Sequence, residues 1–181
     1  MRIIAGEFRS RKLNTLPGNN TRPTLDKVKE AVFSSLGGSF CEGEMLDLFA
    51  GSGGVGLESL SRGMEKAYFS DVSRDAVKII ESNIKALKVE KRASVFCMNY
   101  KTMLAKMKGH KFALIYLDPP YALKVIDEIL NFIHENDMLD AYGTIVVESA
   151  KEDSYEERYG SLIKVKEKEY GITRITYFEK E

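Results

Sequence analysis

The chain is poor in the side chains that usually mark metal, disulfide or nucleophilic chemistry. Two cysteines and two histidines stand among its 181 residues. Cys41 and Cys97 are far apart and form no Cys-x-x-Cys pair, which excludes a disulfide scaffold and a zinc framework. Reduced thiols, a cytoplasmic location and no bound metal are therefore expected. His110 and His134 belong to no ligand-spaced motif and are expected at the surface. No apolar run approaches the roughly 20 residues that a membrane-spanning helix needs. Met1-Arg-Ile-Ile-Ala-Gly6 gives way at once to polar residues, so no signal-peptide pattern is expected. Net charge is lacking too: 27 basic side chains face 27 acidic ones, which excludes a uniformly basic nucleic-acid binder. Repeats, low-complexity tracts and linkers between domains are absent.

What is present is ordinary for a folded domain: 44% apolar and 30% charged residues. The charge is unevenly spread. Residues 1–30 carry seven basic side chains (Arg2, Arg9, Arg11, Lys12, Arg22, Lys27, Lys29) against Glu7, Asp26 and Glu30. Such an excess suits either a phosphate-facing patch or a loosely held, solvated arm. We divide the chain into a basic β-ribbon or arm over 1–22 and one folded domain over 23–181.

From Met45 onward, short apolar runs alternate with helical patterns. Met45–Ala50, Ala67–Asp71, Ala93–Met98, Phe112–Asp118 and Gly143–Glu148 predict strands covered on both faces. Val72–Leu87 and Leu123–Ile133 repeat apolar residues at spacings of three and four, as amphipathic helices do. This alternation predicts an α/β fold with a mostly parallel sheet. Leu162–Glu169 and Ile172–Glu179, joined at Tyr170-Gly171, predict a C-terminal antiparallel hairpin. Ahead of the sheet, Arg2–Leu16 is β-like. Thr24 can cap a helix running to Leu36 and stopped by Gly37-Gly38.

Asp47-Leu-Phe-Ala-Gly51-Ser-Gly53-Gly54-Val-Gly56 leaves the first strand and enters a helix over Gly53–Arg62. Gly51, Gly53 and Gly56 complete a GxGxxG, and Asp71 follows Gly51 by 20 residues at the next strand end. That spacing suits a ribose-binding carboxylate. A nicotinamide oxidoreductase and an S-adenosylmethionine-dependent methyltransferase both fit this pattern. Asp47 separates them: a strand-end carboxylate would repel a pyrophosphate but suits a ligand carrying sulfonium and ammonium groups. Phe49, between Asp47 and the glycines, is counted with the cofactor-binding residues. Asn99, just past the third strand, fits either the adenine edge or an ordinary helix cap.

Asp118-Pro119-Pro120-Tyr121 ends the fourth strand. Two prolines fix a bend, remove two backbone donors and leave carbonyls free to accept. An exocyclic amine needs that arrangement, one N–H for the Asp118 carboxylate and one for a carbonyl. Tyr121 can stack on a base turned out of its helix. No tuned general base is required, because the methylated amine is strongly acidic, and no cysteine or histidine nucleophile is needed.

With these motifs, the chain resembles the bacterial 16S rRNA guanine-N2 methyltransferase (RsmD-like) family. Arg2–Leu13 resembles its RIIAGxxRGRKL opening, and Thr21-Arg22-Pro23-Thr24 with Asp26, Lys27 and Val28 resembles its first helix start. Asp47–Gly53 and Asp118–Tyr121 match its cofactor and DPPY segments. Phe8, Ser10 and Leu25 depart from the common residues. The resemblance implies a class I (Rossmann-like) methyltransferase with a seven-stranded sheet. It implies S-adenosylmethionine as methyl donor, S-adenosylhomocysteine as product, and a guanine of the small ribosomal subunit or its assembly intermediate as substrate. Ribosomal proteins would then share in recognition, and a monomer is expected. Arg9, Arg11, Lys12 and Arg22 are the expected RNA-binding residues. Adenine-N6 and glutamine-N5 methyltransferases share (N/D)PPY motifs and remain alternatives, as do an oxidoreductase and a silent RNA-binding module.

Overall fold

In the computed structural model, which describes residues 1–17 and 23–181, the sheet is built around the run Met45–Asp47. Strand β1 (Glu44–Asp47) pairs in parallel with β2 (Lys66–Asp71) on one side and β4 (Phe112–Leu117) on the other. Beyond these lie β3 (Ala93–Cys97) and β5 (Leu139–Ala150), also parallel. The hairpin β7 (Leu162–Tyr170) and β8 (Thr173–Lys180) then joins antiparallel to β5 through β8. The two-residue strand β6 (Arg158–Tyr159) closes that edge, giving the order β3-β2-β1-β4-β5-β8-β7-β6. The strand order reverses between β1 and β4, and α/β sheets open a ligand crevice at the carboxyl ends of such strands.

Helices cover both faces. On one face α1 (Pro23–Ser35), α2 (Gly54–Ser61) and α3 (Arg74–Leu87) bury Val32, Phe33, Leu57, Leu60, Ile80 and Ile84 against Met45, Phe69 and Leu114. On the other, α4 (Tyr100–Lys106) and α5 (Ile126–Glu135) pack Met103, Leu104, Ile129 and Ile133 onto Leu46, Ile115 and Ile145. The short spacing of apolar residues on both faces of β1, β4 and β5 is the cause: each strand needs two covers.

The class and the alternation agree with the sequence reading, with four local differences. The sheet has eight strands instead of seven, because β6 is too short to carry an apolar pattern. β5 begins at Leu139 instead of Gly143; its first turn-side residues, including fully exposed Tyr142, lack the expected apolar continuity. α5 starts at Ile126, so Leu123 lies outside it and is exposed. α1 starts at Pro23, one residue before Thr24, and the Thr24 side chain lies outside the described ones. α4 follows from Asn99, whose Oδ1 accepts the Thr102 N–H at 3.0 Å.

The N-terminal segment is firmly docked, which rules out a loosely held arm over residues 1–13. It forms a turn closed by one Arg2–Lys12 bridge, with little regular strand. Ile3 and Leu13 are buried in the same core as α2 and α3. Glu58, fully buried on α2, accepts the Ile4 and Ala5 amides at 2.9 and 3.0 Å. The same carboxylate pairs with Arg62 at 2.8 Å and Lys29 at 3.3 Å. A buried charge needs this full set of partners. His134 is half-buried, contrary to the surface expectation, and its Nδ1 binds the Ser161 hydroxyl and amide where β7 begins.

Candidate active site

Four of the five parallel strands carry a carboxylate at or beside their C-terminal end: Asp47, Asp71, Asp118 and Glu148. In register, Tyr116 lies opposite Asp47 on β1 and Val146 on β5. Side chains alternate along a strand, so Asp47, Tyr116, Val146 and Glu148 share one face, and Asp118 follows just past the end of β4. The acids thus line the switch-point crevice.

Asp47 is buried, and its Oδ2 accepts the Gly56 N–H at 3.1 Å, in the first turn of α2. Burial pushes its carboxyl up to about 7; the Gly56 bond opposes that shift and the charge of Asp71 adds to it. Asp71 is half-buried and takes the Gly51 N–H on Oδ2 and the Ser73 N–H on Oδ1, both at 2.9 Å. It therefore holds both the glycine loop and the start of α3. Gly53, with φ +78°, turns the chain into α2 where a side chain would be strained. A Cβ on Gly56 would sit 2.2 Å from the Phe69 ring, so α2 packs on β2 only with glycine there. Phe49 is half-buried, its ring centroid 5.8 Å from that of Tyr100. Asn99 is exposed and caps α4.

At the end of β4, Pro120 O accepts the Leu123 N–H at 2.8 Å, which tightens the turn. Neither the Asp118 carboxylate nor Pro119 O receives a hydrogen bond from any described residue, leaving acceptors free on two adjacent residues. Asp118 is exposed to solvent, while the protein packed around it still partly desolvates its carboxyl. That desolvation, with Glu148 and Asp47 beside it, holds its carboxyl well above the usual range. Tyr121 is 39% exposed, and its hydroxyl meets Thr173 Oγ1 at 3.1 Å.

Arg9, Arg11 and Lys12 are exposed on the docked turn, with Arg11 Nη2 donating to Ala86 O at 3.0 Å. Arg22 lies outside the described residues. The sequence reading overlooked Tyr116 and Glu148. Buried Tyr116 donates its hydroxyl to Glu148 Oε2 at 2.7 Å, and burial also raises the Glu148 carboxyl. The signal was available: MLD, FSD, YLD and VVE each close an apolar run with an acid.

Among the described residues, none of these four acids pairs with a lysine or arginine. Repelling carboxylates in a partly desolvated crevice favour a cationic ligand and disfavour a pyrophosphate. S-adenosylmethionine, with its sulfonium and ammonium groups, fits this donor set: Asp47 would answer those charges and Asp71 the ribose hydroxyls. The switch point, glycine loop and Asp-Pro-Pro-Tyr turn together define a class I methyltransferase.

Known proteins narrow that class. Residues 1–179 match the family model described as conserved hypothetical protein 95. The chain is 40% identical over 182 residues to YlbH of Bacillus subtilis, spanning 99% of each. It is 35% identical over 153 residues to ribosomal RNA small subunit methyltransferase D of Escherichia coli, covering 84% of this chain and 76% of that one. The solved structure of yhhF from Escherichia coli superimposes with a TM-score of 0.86 at 32% identity, covering 100% of this chain and 98% of that one. The chain belongs to this family, the RsmD-like methyltransferases.

Proposed function

We propose that the protein transfers a methyl group from S-adenosylmethionine to the exocyclic N2 amine of one guanine in 16S rRNA. The carrying observation is the pair of unpartnered acceptors, Asp118 carboxylate and Pro119 carbonyl, at the mouth of the four-acid crevice. Family membership and the small-subunit rRNA named for the Escherichia coli relative support the substrate class.

Bound S-adenosylmethionine supplies an electrophilic methyl group. Asp71 and the Gly51–Gly56 loop orient it, with Phe49 and Asn99 as candidate neighbours of the adenine. Asp118 and Pro119 accept the two N–H bonds of the amine, turn its lone pair toward the methyl group and offset the positive charge that develops on nitrogen. Holding both reactants in line accounts for much of the remaining acceleration. Pro120 fixes the turn, and Tyr121 offers its exposed ring to a base swung out of the RNA. Ionised Asp118 is the stronger acceptor, and a nearby cation lowers its raised pKa toward that form.

Arg9, Arg11, Lys12 and Arg22 would neutralise rRNA phosphates, so residues 1–22 act as an RNA-holding unit on the catalytic domain 23–181. Ribosomal proteins of the subunit or its assembly intermediate would share the surface, with the enzyme a cytoplasmic monomer. No described helix is long and apolar enough to cross a membrane. Mass-spectrometric mapping of 16S rRNA from a deletion strain tests the reading. One N2-methylguanine should vanish and return on incubation of the isolated subunits with purified protein; an unchanged map overturns it.

A further inference from the structure

Glu148 lies in none of the motifs that mark the family, yet the fold builds it into the base site. It shares a pocket of about 90 Å³ with Pro119, Pro120 and Tyr121. Tyr116 Oη holds its Oε2 at 2.7 Å, while Oε1 has no hydrogen-bond partner among the described residues. Tyr116 is itself buried, so one oxygen of the carboxylate is fixed and the other is left for a ligand. Leu117 on β4 pairs with Val147 on β5, so Asp118 and Glu148 are the next residues along these neighbouring strands, which places Glu148 beside the acceptors of the reacting amine.

We propose that Glu148 selects guanine, its carboxylate accepting the N1–H that adjoins the 2-amino group. This rests on the guanine-N2 reading given above. On guanine, N1–H and the 2-amino group form a row of donors, which three neighbouring acceptors (Glu148, Asp118 and Pro119 O) match. Adenine and cytosine put a ring-nitrogen acceptor beside their exocyclic amines. A carboxylate facing that nitrogen repels it and loses its own hydrogen bond, so these bases are disfavoured though they carry an amine. Accepting N1–H also shifts electron density toward the 2-amino nitrogen, the atom that attacks. Tyr116 is a positioning residue, acting through Glu148.

The test uses the full chain and small subunits reconstituted with guanine or 2,6-diaminopurine at the target nucleotide. Diaminopurine keeps the 2-amino group but presents an acceptor at N1. Wild type should prefer guanine by about 10- to 100-fold in kcat/KM, the usual worth of one good base-edge pairing. Glu148→Gln can turn its amide NH2 toward the diaminopurine N1, so the preference should collapse to within about threefold, mainly through poorer use of guanine. A wild-type preference in this variant, with cofactor binding intact by calorimetry, overturns the assignment while leaving the guanine-N2 reading standing. Failure of wild type to methylate unsubstituted subunits overturns both. Should Glu148→Gln lose cofactor binding through misfolding, Tyr116→Phe decides: a reduced base preference supports the proposal, and an unchanged one refutes it.

Discussion

Asp47, the last residue of β1, accepts the amide of Gly56, the third residue of α2, at 3.1 Å. The bond lets a buried carboxylate stand in for a helix cap, since Gly53 at the N-cap has no side chain. It also sets up a proton linkage. The Asp47 carboxyl lies at about 7 in the fold against 3.8 ordinarily, so between these values the folded apo protein holds a proton that the unfolded chain has lost. Stability of the apo protein should therefore fall as pH rises through that window.

A cationic ligand beside Asp47 favours its ionised form, so S-adenosylmethionine should release protons on binding near pH 6–7. Calorimetry in buffers of different ionisation enthalpy reads this directly. Asp47→Asn should diminish the release and flatten the pH dependence of apo stability. Equal proton release in the variant would remove Asp47 from the linkage.

Asp71 has two loop amides to hold besides any ribose. Asp71→Ala should weaken S-adenosylmethionine binding by roughly 1.5–3 kcal/mol, the loss usual for hydrogen bonds to a charged group. Asp71→Asn, which can keep one amide bond, should lose less. Unchanged calorimetric affinity in folded Asp71→Ala would take Asp71 out of the cofactor site.

For Asp118 the acceptor matters more than the charge. Asp118→Ala should cut single-turnover rate by about a hundredfold or more while cofactor binding persists. Asp118→Asn keeps a carbonyl acceptor and should fall between Ala and wild type. The wild-type rate should rise with pH as the raised carboxyl ionises, and the Asn variant should lose that part of the rise. A full rate in the Ala variant would reduce Asp118 to a turn residue.

On the N-terminal turn the outward and inward side chains should separate cleanly. Replacing Arg9, Arg11 and Lys12 together by Ala should raise the substrate KM and lower the salt-dependence slope by about two, at about 0.7 per phosphate. Thermal stability should hardly change, because Ile3, Leu13 and the Glu58 contacts remain. Normal methylation at raised salt would place the RNA surface elsewhere.

Glu58→Ala should do the reverse. It strands buried Lys29 and Arg62 and frees the Ile4 and Ala5 amides, for a loss of roughly 3–5 kcal/mol, typical of breaking a buried pair. Denaturant unfolding measures it; a loss below about 1 kcal/mol would mean the cluster contributes little beyond surface pairing.

By itself the sequence determined the layered α/β class, the glycine loop, Asp71 at the second strand end and the Asp118–Tyr121 turn. These are local signals: apolar periodicity, positive-φ glycines and proline-fixed bends act over a few residues and leave their mark in order along the chain. Tertiary structure alone decided what those pieces meet. Glu148 is 30 residues from Asp118 in sequence and becomes its neighbour only because β5 lies beside β4. Glu58 looks like a surface helix residue until the N-terminal amides, Lys29 and Arg62 close over it. β6 exists only as an edge pairing. Burial of a charge and pairing of an edge depend on distant chain, and no local pattern encodes a distant partner.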